Sequence, residues 1–293
     1  MSPGVCGGSA TRHCRRGAVR VFSRSRVKVA VPMPEFRTAP VRFIERKRAH
    51  PPESLAGRRV LITDACSDLG RATAQLLAAR GAQLLLVAKR GDQLVTLCEQ
   101  IRADGGEAHW CRCDIAALGD VDQLVTWVLS EFGTVDVLIN NAGRPVRRPV
   151  VQSLHRFRDY QQTMAANYFG PLRLTLGLLP AMLRSGSGHV LNVGPWSPQV
   201  GAAPNFASYA SAQAAWTTFG DCADAELSPQ GIQVTPVHYT PGRVDDPDHT
   251  SHRIATAIHT RAPQAEPRFT RTLYALAGVA PRSTARLMHA FGI

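Results

Sequence analysis

The sequence predicts an α/β protein, a single domain built on a doubly wound parallel sheet with helices on both faces. Three observations carry this. From about residue 55, short apolar segments alternate with amphipathic segments of roughly 10–15 residues. The first apolar segment runs directly into turn residues and a helix start. Of the 293 residues, 44% are hydrophobic, enough for a sizeable core. No run reaches the ~18 apolar residues of a membrane span, and none is expected.

The elements follow in order. Arg58-Arg-Val-Leu-Ile-Thr63 reads as a buried strand, and Asp68-Leu-Gly-Arg-Ala-Thr-Ala-Gln-Leu-Leu-Ala-Ala79 as an amphipathic helix closed by Gly81. Ala82–Arg90 is a second strand, Gly91–Gly106 a helix ended by glycine, and Glu107–Ile115 a third strand. A helix over Val121–Gly133 and a strand over Val135–Gly143 complete the first half. One long helix is expected over Phe157–Ser185, then a strand at Gly188–Gly194, a helix over 207–228 and a strand from Ile232. Six or seven strands suffice for a Rossmann-type dinucleotide-binding sheet.

The formal charge of +12 is unevenly placed. Residues 1–50 hold 12 of the 34 basic and 2 of the 22 acidic residues, a net +10, which leaves +2 for the rest. Residues 1–53 read as a basic, poorly ordered extension, and Met33 opens a shorter chain. A basic arm for nucleic acid and an Arg-rich targeting peptide are the competing readings; no apolar stretch of the signal-peptide kind follows Arg15-Arg16. Nucleic-acid binding is not expected of the body, since 6% aromatic content offers no stacking platform. The seven cysteines are scattered without metal-ligand spacing, so reduced thiols and a cytoplasmic location are expected, and no metal. His109, His189 and His238 are expected to be hydrogen-bonded in or beside strands.

The turn after the first strand reads Thr63-Asp-Ala-Cys-Ser-Asp-Leu-Gly70. Strand, tight turn and helix start form an anion site, where unpaired N–H groups and the helix dipole attract pyrophosphate. Glycines usually make such a turn. Only Gly70 is present, with Asp64 and Asp68 in the other two places. Aspartate tolerates a left-handed φ, so the turn can persist. Its charge is the obstacle, because a carboxylate about 4–6 Å from a phosphate costs on the order of 3 kcal/mol at an effective dielectric near 20. Ser67 or Asp68 capping the helix is the competing structural use of these residues. After the second strand stand Lys89 and Arg90, with no carboxylate for a ribose 2′-hydroxyl. That pattern suits a 2′-phosphate, so any cofactor should be NADP(H).

Together, "VLITDACSDLGRATAQLLAARG", "DVLINNAG", "AANYFGPLRLTLGLLPAML" and "SYASAQAAWTTF" resemble the short-chain dehydrogenase/reductase family from about Leu55 to Gly242. The segments around 154–182 and 272–292 are more narrowly similar to the reductase domain of mycobacterial fatty acyl-CoA reductases. The resemblance implies that Thr63, Ser67, Leu69 and Gly70 line the phosphate path, and that Asp114 and Ile115 meet the adenine. It places Asn141, Ala142 and Gly143 along the ribose path, and Pro241, Gly242 and Val244 beside the nicotinamide. Asn167 would kink the long helix and hold a relay water, and Tyr209 would be the general acid/base. It also implies a homodimer or tetramer paired through helices near 157–185 and 207–228.

Two positions depart from the family. Gly194, Pro195 and Trp196 cover the place of the serine that polarises the substrate carbonyl, with Ser197 the nearest hydroxyl. Gln213 stands for the lysine that holds the nicotinamide ribose and lowers the tyrosine pKa. A phenol of pKa about 10 needs a neighbouring cation to work as a base near neutrality. Two readings therefore stand: an NADP(H)-dependent oxidoreductase acting on a carbonyl or alcohol, lipid-like substrates included, and a catalytically impaired binding or assembly protein on the same fold.

Overall fold

The computed structural model describes residues 54–141, 143, 145–195, 204–239 and 247–261, together with 276, 279, 280 and 283. Six strands are described: β1 (Arg59–Thr63), β2 (Gln83–Ala88), β3 (Glu107–Arg112), β4 (Val137–Asn140), β5 (Gly188–Pro195) and β6 (Ile232–Tyr239). They form one parallel sheet in the order β3-β2-β1-β4-β5-β6. The helices are α1 (Asp68–Ala79), α2 (Gly91–Ala103), α3 (Leu118–Phe132), α4 (Phe157–Met164), α5 (Gly170–Ser185), α6 (Ala207–Leu227) and α7 (Pro247–Thr260).

The strands read as unbroken apolar runs because both faces are covered. Alternate residues enter different cores. Leu84 and Leu86 pack with Leu77 of α1, Leu97 of α2 and Ile254 of α7. Leu85 and Val87 pack on the other side with Leu124 of α3 and Leu174 and Leu178 of α5. The strand order reverses between β1 and β4. In an open parallel sheet, the crevice beyond the strand ends at such a switch point is where ligands bind.

The single helix expected over 157–185 is broken. A π turn at Ala165–Phe169 separates α4 from α5. Pro171 brings no N–H to the ladder, and Gly170 packs so tightly on the Ile115 carbonyl that no side chain fits there. Asn167, 1% exposed inside the π turn, donates from Nδ2 to the Thr163 carbonyl at 2.8 Å. The expected kink is present, and a π turn is its form.

His189 and His238 lie in β5 and β6. His189 bonds from Nε2 to Thr235 Oγ1 at 2.9 Å, but among the described residues its Nδ1 meets no hydrogen-bond partner. Burial drives both imidazoles down to about 4, with Arg261 adding to the effect at His189 and Arg253 at His238. Both are therefore neutral in the fold, while an unfolded histidine takes a proton near pH 6.5. The unfolded chain binds more protons as pH falls from about 6.5 to 4, so stability falls across that window and levels below it. Each histidine can contribute up to about 3 kcal/mol to this loss. Urea unfolding of wild type between pH 7 and 4 should show it, and His189→Gln should flatten the slope; parallel profiles would contradict this assignment.

Candidate active site

Three elements meet at the switch point. β1 ends at Thr63, which is 1% exposed. Asp64 follows at φ 50°, in the left-handed region. Ser67 caps α1: its Oγ accepts the Gly70 N–H at 3.1 Å and donates to the Asp64 carbonyl at 2.8 Å. The cap is thus Ser67 and not Asp68, which opens the helix exposed. Leu69 packs against the core from the same turn. Gly70 sits against the Asp64 carbonyl, and a methyl group there would also stand 2.8 Å from Ala65 Cα. The one glycine retained in the turn is thus the one whose Cβ the turn excludes.

Asn141, just past β4, ties the turn down. Its N–H donates to Thr63 Oγ1 at 2.9 Å. Its Nδ2 reaches Ser67 Oγ at 3.1 Å and the carbonyls of Thr63 and Asp64 at 3.3 and 3.4 Å.

A cleft of about 810 Å³ opens beside this turn, lined by Thr63, Asp64, Lys89, Asp114, Gly143 and Asn167 among others. Of the two turn carboxylates, Asp64 lines it and Asp68 does not. Burial raises the Asp64 pKa, and the nearby Arg90 charge opposes that rise. At the far end Lys89 Nζ stands 2.5 Å from Asp114 Oδ2. This hydrogen bond holds the Asp114 carboxyl below its usual range. Asp114 Oδ1 also accepts the Ala116 N–H at 3.1 Å. Ile115 lines the same wall. Arg90 is exposed beside Lys89. Arg112, which the sequence did not single out, joins them, its Nε donating to the Lys89 carbonyl at 3.3 Å. The parallel register that sets Arg112 opposite Ala88 brings it there.

Gly143 and Asn167 also line the cleft; Tyr209 and Gln213, buried beside them, are not among its lining residues. A methyl group on Gly143 would stand 3.1 Å from Asn167 Oδ1, 3.8 Å from Gln213 Nε2 and 3.9 Å from the Tyr209 hydroxyl. Asn167, Tyr209 and Gln213 therefore converge as expected. Gln213 lies one turn beyond Tyr209 on α6, and both are buried, 6% and 5% exposed. Tyr239 and Gln213 are the polar neighbours that act on the Tyr209 hydroxyl. Burial is the main cause that pushes the Tyr209 pKa far above the ordinary phenol value, and Tyr239 adds to it. Tyr239, the last residue of β6, escaped the sequence reading, because nothing in a strand pattern distinguishes it from a packing aromatic. Ala142, Pro241, Gly242 and Val244, like Trp196, Ser197 and Asp246, lie outside the described residues.

Gln213 also explains a neighbour. A methyl group on Gly194 of β5 would stand 3.0 Å from Gln213 Oε1. The carboxamide thus fills the space a side chain at 194 would need.

The comparisons agree with this architecture. The short chain dehydrogenase family model matches residues 58–256, and the chain belongs to that family. It is 36% identical over 251 residues to a fatty acyl-CoA reductase of Mycobacterium tuberculosis, spanning 81% of this chain and 85% of that protein. A fatty acyl-CoA reductase of Acinetobacter baylyi is 37% identical over 189 residues, 64% of this chain and 63% of that protein. A metagenomic short-chain oxidoreductase solved in complex with NADP matches with TM-score 0.64 at 28% identity, covering 73% of this chain and 93% of that one. An NAD+-bound xylitol dehydrogenase matches with TM-score 0.58 at 27% identity, covering 62% and 70%. The narrower resemblance to mycobacterial fatty acyl-CoA reductases is borne out.

If Gln213 and position 194 share one space, their substitutions must couple. Gly194→Ala should cost about 1–2 kcal/mol in the wild-type background through overpacking. It should cost less than half of that in Gln213→Ala, measured by urea unfolding of the four proteins. Additive effects would show that the two positions do not share that space.

Proposed function

We propose that this short-chain dehydrogenase is an NADP(H)-dependent reductase of lipid-like carbonyl compounds, working toward the alcohol. The observation that carries the reading is the buried Tyr209 beside Gly143 and Asn167, two residues that line the cleft, with burial raising its pKa far above the ordinary phenol value. The cleft fits a dinucleotide: its volume is adequate, its turn excludes side chains at Gly70, and Lys89, Arg90 and Arg112 cluster at the end where a 2′-phosphate would lie. The positive charge of Arg90 acts on the Asp64 carboxyl and offsets part of its opposition to a phosphate. When bound, the cofactor supplies the hydride.

The chain supplies the proton. A phenol with a raised pKa is a poor base for removing a proton from an alcohol. It remains an adequate acid toward a developing alkoxide, which is a far stronger base than a phenolate. Gln213 Nε2, near the same point as the Tyr209 hydroxyl, is a neutral donor available to a carbonyl oxygen. Asn167 keeps Oδ1 directed at that point while Nδ2 is held by Thr163. Losing a dedicated carbonyl-polarising donor costs on the order of 10²–10³ in rate, so slow turnover is expected. The names of the Mycobacterium and Acinetobacter relatives support a long-chain acyl or aldehyde substrate. Pairing of subunits along α5 is supported by Phe169, Leu176 and Leu183, which are exposed at seven-residue spacing.

A second reading is a binding or assembly protein without turnover. The observation favouring it is that Tyr209 is buried beside Tyr239 and Gln213 and is not among the residues that line the cleft. Purified protein with NADPH and a long-chain aldehyde separates the two. NADPH should bind more tightly than NADH and be consumed. Tyr209→Phe should lower kcat at least a hundredfold with binding retained, and wild-type kcat/KM should stay flat from pH 6 to 9. Equal rates in wild type and Tyr209→Phe would overturn the reductase reading. Binding without consumption favours the second, and no binding at millimolar cofactor removes the nucleotide from both.

A further inference from the structure

We propose that residues 145–158 form a docking surface for an anionic lipid bilayer. Val150 is 59% exposed, and Val151, Leu154 and Phe157 are each 72% exposed, all within eight residues. Large apolar side chains gathered in this way mark an interaction surface. The same segment carries Arg147, Arg148, Arg156 and Arg158 and no Asp or Glu. Apolar side chains that enter the acyl boundary, flanked by arginines that meet acidic headgroups, are the chemistry of an interfacial anchor.

The segment is built to present these side chains. A 3-10 turn at Val150–Gln152 is closed by Ser153, whose N–H donates to the Val150 carbonyl at 2.9 Å and whose Oγ donates to Pro149 O at 3.1 Å. Its base is pinned by Arg148: Nε stands 2.9 Å from Asp159 Oδ2, and the backbone N–H donates to Asn205 O at 2.6 Å. The other three arginines are exposed and form no ion pair among the described residues.

Charge selects the occupant. In a two-fold contact between copies of this chain the patch would meet itself, arginine against arginine. A polynucleotide would satisfy the arginines and leave Val150, Val151 and Leu154 without use. An anionic membrane satisfies both sets. Pro145, Val146 and Arg148 also line the 810 Å³ cleft, so the surface is continuous with the site's mouth.

The test is sedimentation of the full chain with phosphatidylcholine vesicles, with and without about 30% phosphatidylglycerol. Wild type should bind the anionic vesicles. Arg156→Gln with Arg158→Gln should weaken that binding at least about tenfold. Leu154→Ser with Phe157→Ser should weaken it comparably and persist as the weaker binder at low salt. Leu118→Ser, an exposed apolar residue on α3, should change nothing. All variants should keep the wild-type thermal midpoint, since the altered side chains are exposed. Absence of wild-type binding would overturn the proposal. Binding unchanged in both paired variants would also do so, assigning the interaction to the basic first fifty residues. A loss of self-association with vesicle binding intact would overturn it too, making the patch a contact between copies.

Discussion

Asn141 continues, with side chains, a ladder that the strands themselves have ended. The β1–β4 pairing stops at Ile62 and Ile139. Beyond it, Thr63 Oγ1 donates to the Ile139 carbonyl at 3.3 Å while accepting the Asn141 N–H. Asn141 Nδ2 then spans to Ser67 and to two carbonyls of the turn. Those contacts hold the turn in which Asp64 adopts a left-handed backbone and Gly70 closes on its carbonyl. In an open parallel sheet this is the one place where adjacent strands lead their helices to opposite faces, so the crevice widens just where the backbone needs support. A buried polar knot of this kind holds only if every member is satisfied, and here each of the three side chains has partners on the other elements.

Near Gly143, the two positions that depart from the family form one physical unit. Gly194 leaves room for the Gln213 carboxamide. Gln213 and Tyr239 both lie beside the Tyr209 hydroxyl. Among the described residues no cation acts on it, and burial raises its pKa. Restoring the lysine alone would bury a charge against Gly194 without the hydroxyl the family has nearby. The unit would have to change together.

The sheet was legible because buried parallel strands leave long apolar runs and their helices leave period and glycine stops. Asn167, Tyr209 and Gln213 were singled out by the resemblance to the short-chain dehydrogenase family, and their convergence at Gly143 needed coordinates. The break of the 157–185 helix was carried only by Asn167 and Pro171, and its π form follows from contact with Ile115, a residue from another element. Whether Ser67 or Asp68 capped α1 could not be read from composition, since both are good caps. Lys89 and Asp114 meet just past the ends of β2 and β3, where the parallel register brings them together, and Tyr209 of α6 neighbours Tyr239 at the end of β6. Periodicity says nothing about either pair.

The net charge takes on a different meaning once placed. The body is nearly neutral in sum, yet two groups of its cations stand near one cleft, which Lys89 and Arg148 line. Lys89, Arg90 and Arg112 stand beyond β2 and β3, with only Asp114 paired among them. Arg147, Arg148, Arg156 and Arg158 stand at the opposite lip, with only Asp159 paired. Between them lies the neutral cluster of Tyr209, Gln213 and Asn167. Screening over roughly 8 Å at physiological salt makes the two groups act separately. One end is therefore suited to a phosphate and the other to an acidic surface. A lipid-like carbonyl delivered from that surface would pass Pro145 and Val146 before it reached the proton that Tyr209 retains.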